Sequence, residues 1–504
     1  MFVSMTDENQ QIKRIIVLGG GSAGFMAALA LRVRMPDLAI TVIRSKAIGI
    51  IGVGESSTVN LTEFLHRYLR INPKKLFEIA KPVWKMGLKF LWGSRPHFYY
   101  PFDAMQLVLP RQDLPKPLSY YCDDEMDYAE PMSALMANNR VFYRGPSGDP
   151  QFHNSFAYHL DNERYVSFLE AFARSVNIEI MEDTVAEVKQ NEAGVSGLLL
   201  QSGRTETADL YVDCSGFVSQ LLGKTFNEPF IPFKSSLMCD RAVVGAWTRQ
   251  PGEPIEPFTT CETMNAGWCW RIDHVDRIDR GYVYSSSHIT QEEAEREYRA
   301  VVPKAGPTRI VKFVSGRYAR NWVKNVVAVG NASGFVEPLE STGLGMVGVQ
   351  SRILADSLVA SDRQIREGYR KLVNQHHNLM WDSIRGFIAI HFKFNTRLDT
   401  PFWRECREKT DIASAAPLVE FYQENGPDGL FGQMIVGPHD PFMIGGWICL
   451  LLGQRVPYRH KHQPTPSELQ TFNALRQKNR AMALQAMTSE EILATIPDPN
   501  WRWQ

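Results

Sequence analysis

Apolar positions change rhythm several times along the chain, and each change predicts an element. Arg14-Ile15-Ile16-Val17-Leu18 is a short β-branched run that reads as a strand. Ala23 to Arg34 has helical spacing, and Ala39-Ile40-Thr41-Val42-Ile43 reads as the next strand. Strand, glycine turn, helix, strand is a βαβ unit. A second alternating region runs from Asn162 to Asp213. It holds a predicted helix at Glu163 to Ser175 and predicted strands at Val185 to Val188, Ser196 to Gln201 and Leu210 to Asp213. Ser94 to Phe156 is aromatic and rich in Pro and Gly, which predicts irregular structure, either a lid over a pocket or a surface insertion. Residues 235 to 320 predict strands and turns. After about residue 345 the period becomes helical, through Met346 to Ala360, Gln364 to Phe394 and Pro466 to Leu493. The chain predicts an α/β fold with a helical C-terminal region.

Composition narrows the classes. Of 504 residues, 44% are hydrophobic and 22% charged, which fits a soluble globular protein with a large core. Acids and bases balance at 55 each, removing any bulk-charge case for nucleic acid or a membrane surface. The basic stretch Arg459-His460-Lys461-His462 reads as a solvated surface. Seven cysteines (122, 214, 239, 261, 269, 406 and 449) form no C-x-x-C pair. No His-Glu-x-x-His cluster is present, so no metal site is expected. The polar start, Met1 to Arg14, does not read as a signal peptide. Apolar runs such as Trp447 to Leu452 fall far short of the roughly 20 residues of a membrane span. The expected location is cytoplasmic.

Gly19-Gly20-Gly21-Ser22-Ala23-Gly24 fits G-x-G-x-x-G between a strand and a helix, the context a dinucleotide turn requires. Gly19 permits the turn, Gly21 lets a pyrophosphate approach, and Gly24 lets helix and strand pack. Ser22 and Ala23 open a helix whose free N–H groups attract phosphate. The same residues match G-x-S-x-G, with Ser22 as a nucleophile elbow, but no strand precedes Ile15 to supply an oxyanion loop. The acid expected after the second strand is missing, because Ile43 is followed by Arg44-Ser45-Lys46. Arg44 is left either to contact phosphate or ribose, or to stand exposed.

Asp209-Leu210-Tyr211-Val212-Asp213-Cys214-Ser215-Gly216 and Val326-Val327-Ala328-Val329-Gly330-Asn331-Ala332 resemble the later nucleotide segments of FAD-dependent monooxygenase-type folds. The resemblance places Val185, Asp213, Gly330 and Asn331 at FAD.

Four further segments are similar to the flavin-dependent halogenases of the tryptophan-halogenase family. They are Gly52-Val53-Gly54-Glu55-Ser56-Ser57; Val83-Trp84-Lys85-Met86-Gly87-Leu88-Lys89-Phe90; Trp268-Cys269-Trp270-Arg271-Ile272-Asp273; and the fourteen residues Gly330 to Gly343, ending Glu337-Pro338-Leu339-Glu340-Ser341-Thr342-Gly343. The tail segments Phe387 to Phe392, Asn395 to Arg404 and Trp447 to Gly453 continue the likeness, which spans roughly residues 12 to 455.

Read without that likeness, Lys85, Gly87 and Lys89 share one face of a strand and predict two solvated lysines. Glu340 alone reads as a helix-start acid, and the tryptophans as core.

The resemblance implies an FAD-binding monooxygenase-like fold, with a Rossmann-type βαβ core, a mixed β-sheet substrate region and a helical tail. Residues 1–360 would form the FAD domain, with nucleotide segments near 12–60, 160–225 and 320–350 and β-rich substrate-side parts near 90–155 and 230–320. Residues 361–504 would form the helical substrate-side region.

It also implies a halogenase that uses reduced FAD, oxygen and chloride or bromide on an electron-rich aromatic. Lys85, with Lys89 in support, would receive hypohalous acid, and Glu340 would stabilise or deprotonate the ring intermediate. Thr342 and Gly343 would hold halide, and Gly54, Glu55 and Leu339 would lie at the flavin. Trp268, Trp270, Ser341 and Phe90 would line the route between flavin and substrate. No second nucleotide fingerprint for NAD(P)H is evident, which implies a partner NADH-dependent flavin reductase; a homodimer is compatible. Asp273 stands where the family has proline, and the family's tryptophan-clamping segment is not recognisable, which counts against free tryptophan and leaves an indole, a phenol, a pyrrole or a larger aromatic open as substrate. The rival expectations are a flavin hydroxylase that inserts oxygen directly and a non-catalytic FAD-binding protein.

Overall fold

The strand Arg14–Leu18 lies inside a six-stranded sheet, and its neighbours follow from its composition. In order the sheet runs Glu179–Glu182, Ala39–Arg44, Arg14–Leu18, Leu210–Asp213, Val326–Ala328, Trp322–Val323. All pairs are parallel except the last. Parallel strands covered on both faces need continuous apolar runs, and Ile15, Ile16 and Val17 are fully buried. Each such side chain contributes roughly 1.5–3 kcal/mol on burial. The computed structural model describes residues 11–45, 49, 54–437, 440–498 and 501. Residues 1–10, Lys46, Gly52 and Val53, which carry some of the sequence expectations, lie outside that set.

The second layer is a seven-stranded mixed sheet, ordered Arg309–Lys312, Arg241–Thr248, Arg277–Tyr284, Gly267–Asp273, Phe258–Met264, Gly87–Leu91, Phe98–Pro101. A small sheet, Glu55–Ser56, Ala157–Leu160 and Val83–Lys85, links the two layers. Its central strand pairs Ser56 with His159 on one side and Lys85 with Ala157 on the other.

Helices Glu367–Lys393, Pro401–Lys409 and Met443–Gly453 share one hydrophobic core with the seven-stranded sheet. Phe387, Ile390, Trp403 and Trp447 meet Phe90, Trp92 and Trp268 there.

Two expectations need correction. Phe98–Pro101 is an ordered edge strand, because its backbone pairs with Gly87–Leu91 despite the surrounding Pro and Gly. Residues 83–91 are two strands, broken at Met86, whose N–H turns to Pro257 O. Lys85 and Lys89 therefore do not share a solvated face. Lys85 is fully buried, whereas the Lys89 amine sits 5.7 Å from the ring centroids of both Tyr99 and Phe258.

Candidate active site

A cleft of about 640 Å³ opens outside the carboxyl ends of the parallel strands, where ligands bind in this kind of sheet. That volume falls within the range of about 300–1,000 Å³ found for cofactor pockets. Gly19, Gly21, Ser22 and Ala23 line it. Gly19 has φ +124°, and a Cβ there would lie 2.3 Å from Cys214 O, so only glycine closes this turn. Gly21 faces open space, with no atom within 4 Å of where a Cβ would be. Gly24 does not reach the cleft; it is buried where the helix crosses its strand. Ser22 donates its hydroxyl to Asn162 Oδ1 at 3.2 Å, which leaves no nucleophile elbow.

Gly54, Glu55, Val185, Gly330 and Asn331 also line the cleft, as expected of residues beside a flavin. Loss of water raises the Glu55 carboxyl to about 7. Three expected contacts differ. Arg44 borders the cleft, but its terminal nitrogens are held by Glu170 and Glu182, leaving a buried Nε without a partner. Asp213 turns its carboxylate into its own loop, accepting from Ser215 N and Oγ and from Leu221 and Leu222 N; Cys214 to Val218 face the cleft instead. Leu339 is fully buried away from the cleft, and Pro338 takes its place. The glycine-lined cradle, the helix N-terminus and the cleft volume together fit FAD.

Thr342 and Gly343 line the same cleft, at the start of the 18-residue helix Gly343–Ala360. The first N–H groups of a helix have no partner within it and attract anions. A Cβ at Gly343 would meet no atom within 4 Å, so this backbone is open to a halide.

Trp270 borders the cleft, whereas Trp268 is fully buried behind it. Their ring centroids are 6.0 Å apart. Trp268 Nε1 donates to Glu337 Oε2 at 2.7 Å, and the buried Glu337 Oε1 has no partner. Burial raises the Glu337 carboxyl to about 8, so near neutral pH it is mostly protonated. Asp273, standing where a proline was expected, is buried between Arg249 and Arg271.

Beyond Ser341 lie the buried side chains of Lys85 and Glu340. Ser341 adopts φ +58°, a left-handed position costing of order 1–3 kcal/mol for a residue other than glycine. The residue lines the cleft, and its hydroxyl accepts from Lys85 Nζ at 2.9 Å. Lys85 donates as well to Ser57 O at 3.1 Å, and its amine lies 5.2 Å from the Phe102 ring centroid. Burial lowers the amine to about 7, opposed by the nearby Glu340 and Cys261. Neither Lys85 nor Glu340 borders the cleft, and their exposures are 0% and 1%. Phe90, fully buried, packs against His391 with centroids 5.2 Å apart.

His391 was not singled out from sequence, although its segment was. It meets Glu340 at 2.6 Å, Nε2 to Oε1. Its Nδ1 faces Phe387 O at 2.9 Å. A carbonyl only accepts, so Nδ1 carries hydrogen, and one proton is shared between Nε2 and the carboxyl. Glu337 and His159 were missed too. The only signal for Glu337 was its place in the Gly330 to Gly343 segment, and for His159 there was none.

The family model for tryptophan halogenases matches residues 14–467. The tryptophan 6-halogenase ThaL of Streptomyces albogriseolus is 32% identical over 480 residues, covering 88% of this chain and 90% of its own. The tryptophan 7-halogenase RebH of Lentzea aerocolonigenes is 31% identical, covering 93% and 96%. The crystal structure of MibH, a lanthipeptide tryptophan 5-halogenase, superposes with TM-score 0.88 at 36% identity, covering 99% of this chain and 96% of its own. This chain belongs to the tryptophan halogenase family.

Proposed function

We propose that the chain halogenates the indole ring of a tryptophan, free or within a peptide, using a compartment separate from its flavin cleft. The observation that carries this is Ser341, a cleft-lining residue whose hydroxyl binds the amine of the fully buried Lys85. Family membership makes the enzyme a flavin-dependent halogenase, with FAD as cofactor and halide as co-substrate, and sets direct hydroxylation aside. A separate reductase supplies the reduced flavin. When bound, reduced FAD with oxygen and halide supplies hypohalous acid.

The glycine turn and the N-terminus of helix Ser22–Arg34 hold the dinucleotide, and Thr342 and Gly343 hold halide at the cleft wall. Trp270 and Trp268 close the direct path toward the substrate. Lys85 receives the hypohalous acid at the far side of Ser341 and directs its halogen toward the ring. As an ammonium it donates to the hypohalite oxygen; as a neutral amine it takes the halogen onto nitrogen, and the hypohalite hydroxyl leaves with an amine proton as water. With its amine lowered to about 7, both forms are populated near neutral pH. Glu340 balances the cationic ring intermediate and takes its proton on Oε2, Oε1 being held by the proton shared with His391.

The relatives are named for tryptophan in two cases and for a lanthipeptide tryptophan in the third, which supports the indole but leaves the carrier to experiment. Supplying a flavin reductase, NADH, FAD, oxygen and bromide with tryptophan, simple indoles and tryptophan-containing peptides tests the reading. Bromine isotope doublets on an indole product are expected. Hydroxylated products without bromine would overturn it.

A further inference from the structure

The Lys85 amine is one end of a row of hydroxyls, those of Ser341, Ser56 and Thr259, which belong to the cleft lining, and the row finishes at the buried His159. Lys85 Nζ reaches Ser341 Oγ at 2.9 Å, and Ser341 Oγ reaches Ser56 Oγ at 3.0 Å. Ser56 Oγ meets Thr259 Oγ1 at 2.8 Å, and Thr259 Oγ1 meets His159 Nε2 at 2.9 Å. The ring ends on a backbone carbonyl, with His159 Nδ1 3.1 Å from Asp273 O. The small linking sheet builds this row, since its central strand carries His159 between Ser56 and Val83.

The last contact fixes the sense of all the others. A carbonyl can only accept, so Nδ1 carries the hydrogen, and in the neutral ring Nε2 is left as a lone pair. Thr259 must then donate to Nε2, Ser56 to Thr259, and Ser341 to Ser56. The Ser341 hydrogen is thereby committed away from Lys85, and its oxygen can only accept from the amine. Ser57 O imposes the same role on a second N–H. The one remaining position on Nζ, a third N–H or a lone pair, is left for the compartment shared with Phe102 and Glu340.

We propose that His159 is a positioning residue for Lys85, holding the hydroxyls of Thr259, Ser56 and Ser341 in one sense so that Ser341 never donates to the amine. The claim rests on the halogenase reading for its catalytic meaning, though not for its hydrogen-bond content. A protonated His159 would reverse the row and occupy the Lys85 lone pair with the Ser341 hydrogen. Several features keep the ring neutral. Burial comes first, then the charges of Lys85, His274 and Arg249, opposed by the Asp273 carbonyl; together they push His159 well below the usual histidine range. Glu340 and Cys261 act from the Lys85 side, favouring its charged form.

Two measurements test this. In protein labelled with ¹⁵N-histidine, the two-bond correlation pattern reports each ring's tautomer, and His159→Gln assigns the signal. A neutral ring protonated at Nδ1 from pH 6 to 9 is expected; an Nε2–H tautomer or an imidazolium in that range overturns the proposal, whatever the protein catalyses. In turnover, Thr259→Val removes the central hydroxyl at nearly constant volume and frees Ser341 to donate to the amine. With flavin saturating, kcat for bromination should fall at least tenfold with KM for the indole little changed. The Lys85 midpoint in the pH profile should move down by about half a unit or more, because the neutral amine gains a donor. Thr259→Ser should restore both. A Thr259→Val profile like wild type, or a Thr259→Ser variant no better than valine, overturns the proposal. If the wild type makes no halogenated product, the functional reading fails, and the tautomer measurement still decides this one.

Discussion

His391 and Glu340 sit 2.6 Å apart and are both buried from water, one on helix Glu367–Lys393 and the other just before helix Gly343–Ala360. Because Nδ1 is committed to Phe387 O, the pair holds one proton between Nε2 and the carboxyl. Glu340→Gln removes the proton-accepting oxygen while leaving an amide that donates to Nε2, so packing and the hydrogen bond survive. Bromination should drop by roughly 100-fold or more, the usual range for losing an acid–base group, with melting temperature and flavin affinity near wild type. Equal activity in the two proteins would remove Glu340 from the chemistry.

Lys85→Met separates the amine's chemical role from its structural one. A buried cation kept for stability alone would leave a destabilised protein on removal. Replacing it by an apolar chain of similar length is instead expected to leave stability unchanged or raised. Halogenation should fall below detection while the variant still binds FAD in a cleft that Lys85 does not border. The stability side has a definite sign with pH. The folded amine titrates near 7 and the unfolded one near 10.5, so between these values the unfolded chain binds more protons and wild-type stability gains with rising pH. Urea unfolding of Lys85→Met should lack that component.

Much of this site was legible in the sequence because its chemistry sits in contiguous segments. The Gly19 turn, the Gly330 to Gly343 segment and the paired tryptophans each carry their meaning locally, and their strands and helices fell within a few residues of expectation. What failed was pairing at a distance. By its pattern alone Lys85 read as solvated, because its alternation mimics a half-exposed strand, and only the family resemblance pointed inward; the break at Met86 and the cover from Ala157–Leu160 bury it. Phe98–Pro101 read as irregular because Pro and Gly dominate its surroundings, whereas its partner strand decides its state. Asp213 and Leu339 sit in the expected segments, but turn geometry aims them inward. His159 and His391 gain meaning only from partners more than 50 positions away.

Glu337 predicts a pH dependence of opposite sign to that of Lys85. Its carboxyl is raised to about 8 in the fold, against 4.5 unperturbed, by burial, with the hydrogen bond from the Trp268 indole N–H opposing the rise. A raised carboxyl contributes stability that is complete below the unfolded value and is lost as pH climbs through the folded one. Between about pH 4.5 and 8 the wild type should therefore lose stability on this account, at up to about 1.4 kcal/mol per pH unit. Glu337→Gln keeps an acceptor for Trp268 and cannot ionise. Its unfolding free energy should be flatter over that window, and parallel curves for the two proteins would mean that Glu337 is ionised in the fold.

Two glycines predict opposite balances of folding and flavin binding. At Gly21 a methyl group meets no protein atom, and the backbone, at φ −89°, is accessible to alanine. Gly21→Ala should match or exceed wild-type stability, by up to about 1 kcal/mol, since it restricts the unfolded chain. The methyl instead takes space in the cradle meant for pyrophosphate, so FAD affinity should fall at least tenfold by fluorescence titration. At Gly281 the methyl would lie 2.1 Å from the Trp270 ring, whose other side borders the cleft. Gly281→Ala must push that ring or its strand, costing about 1–3 kcal/mol in the fold. It should weaken FAD binding as well, because the displaced indole moves into the cleft. If Gly21→Ala bound flavin as well as wild type, the cofactor would not follow the glycine turn. If Gly281→Ala left flavin affinity intact despite a lower melting temperature, Trp270 would be core packing rather than the wall of a cofactor site.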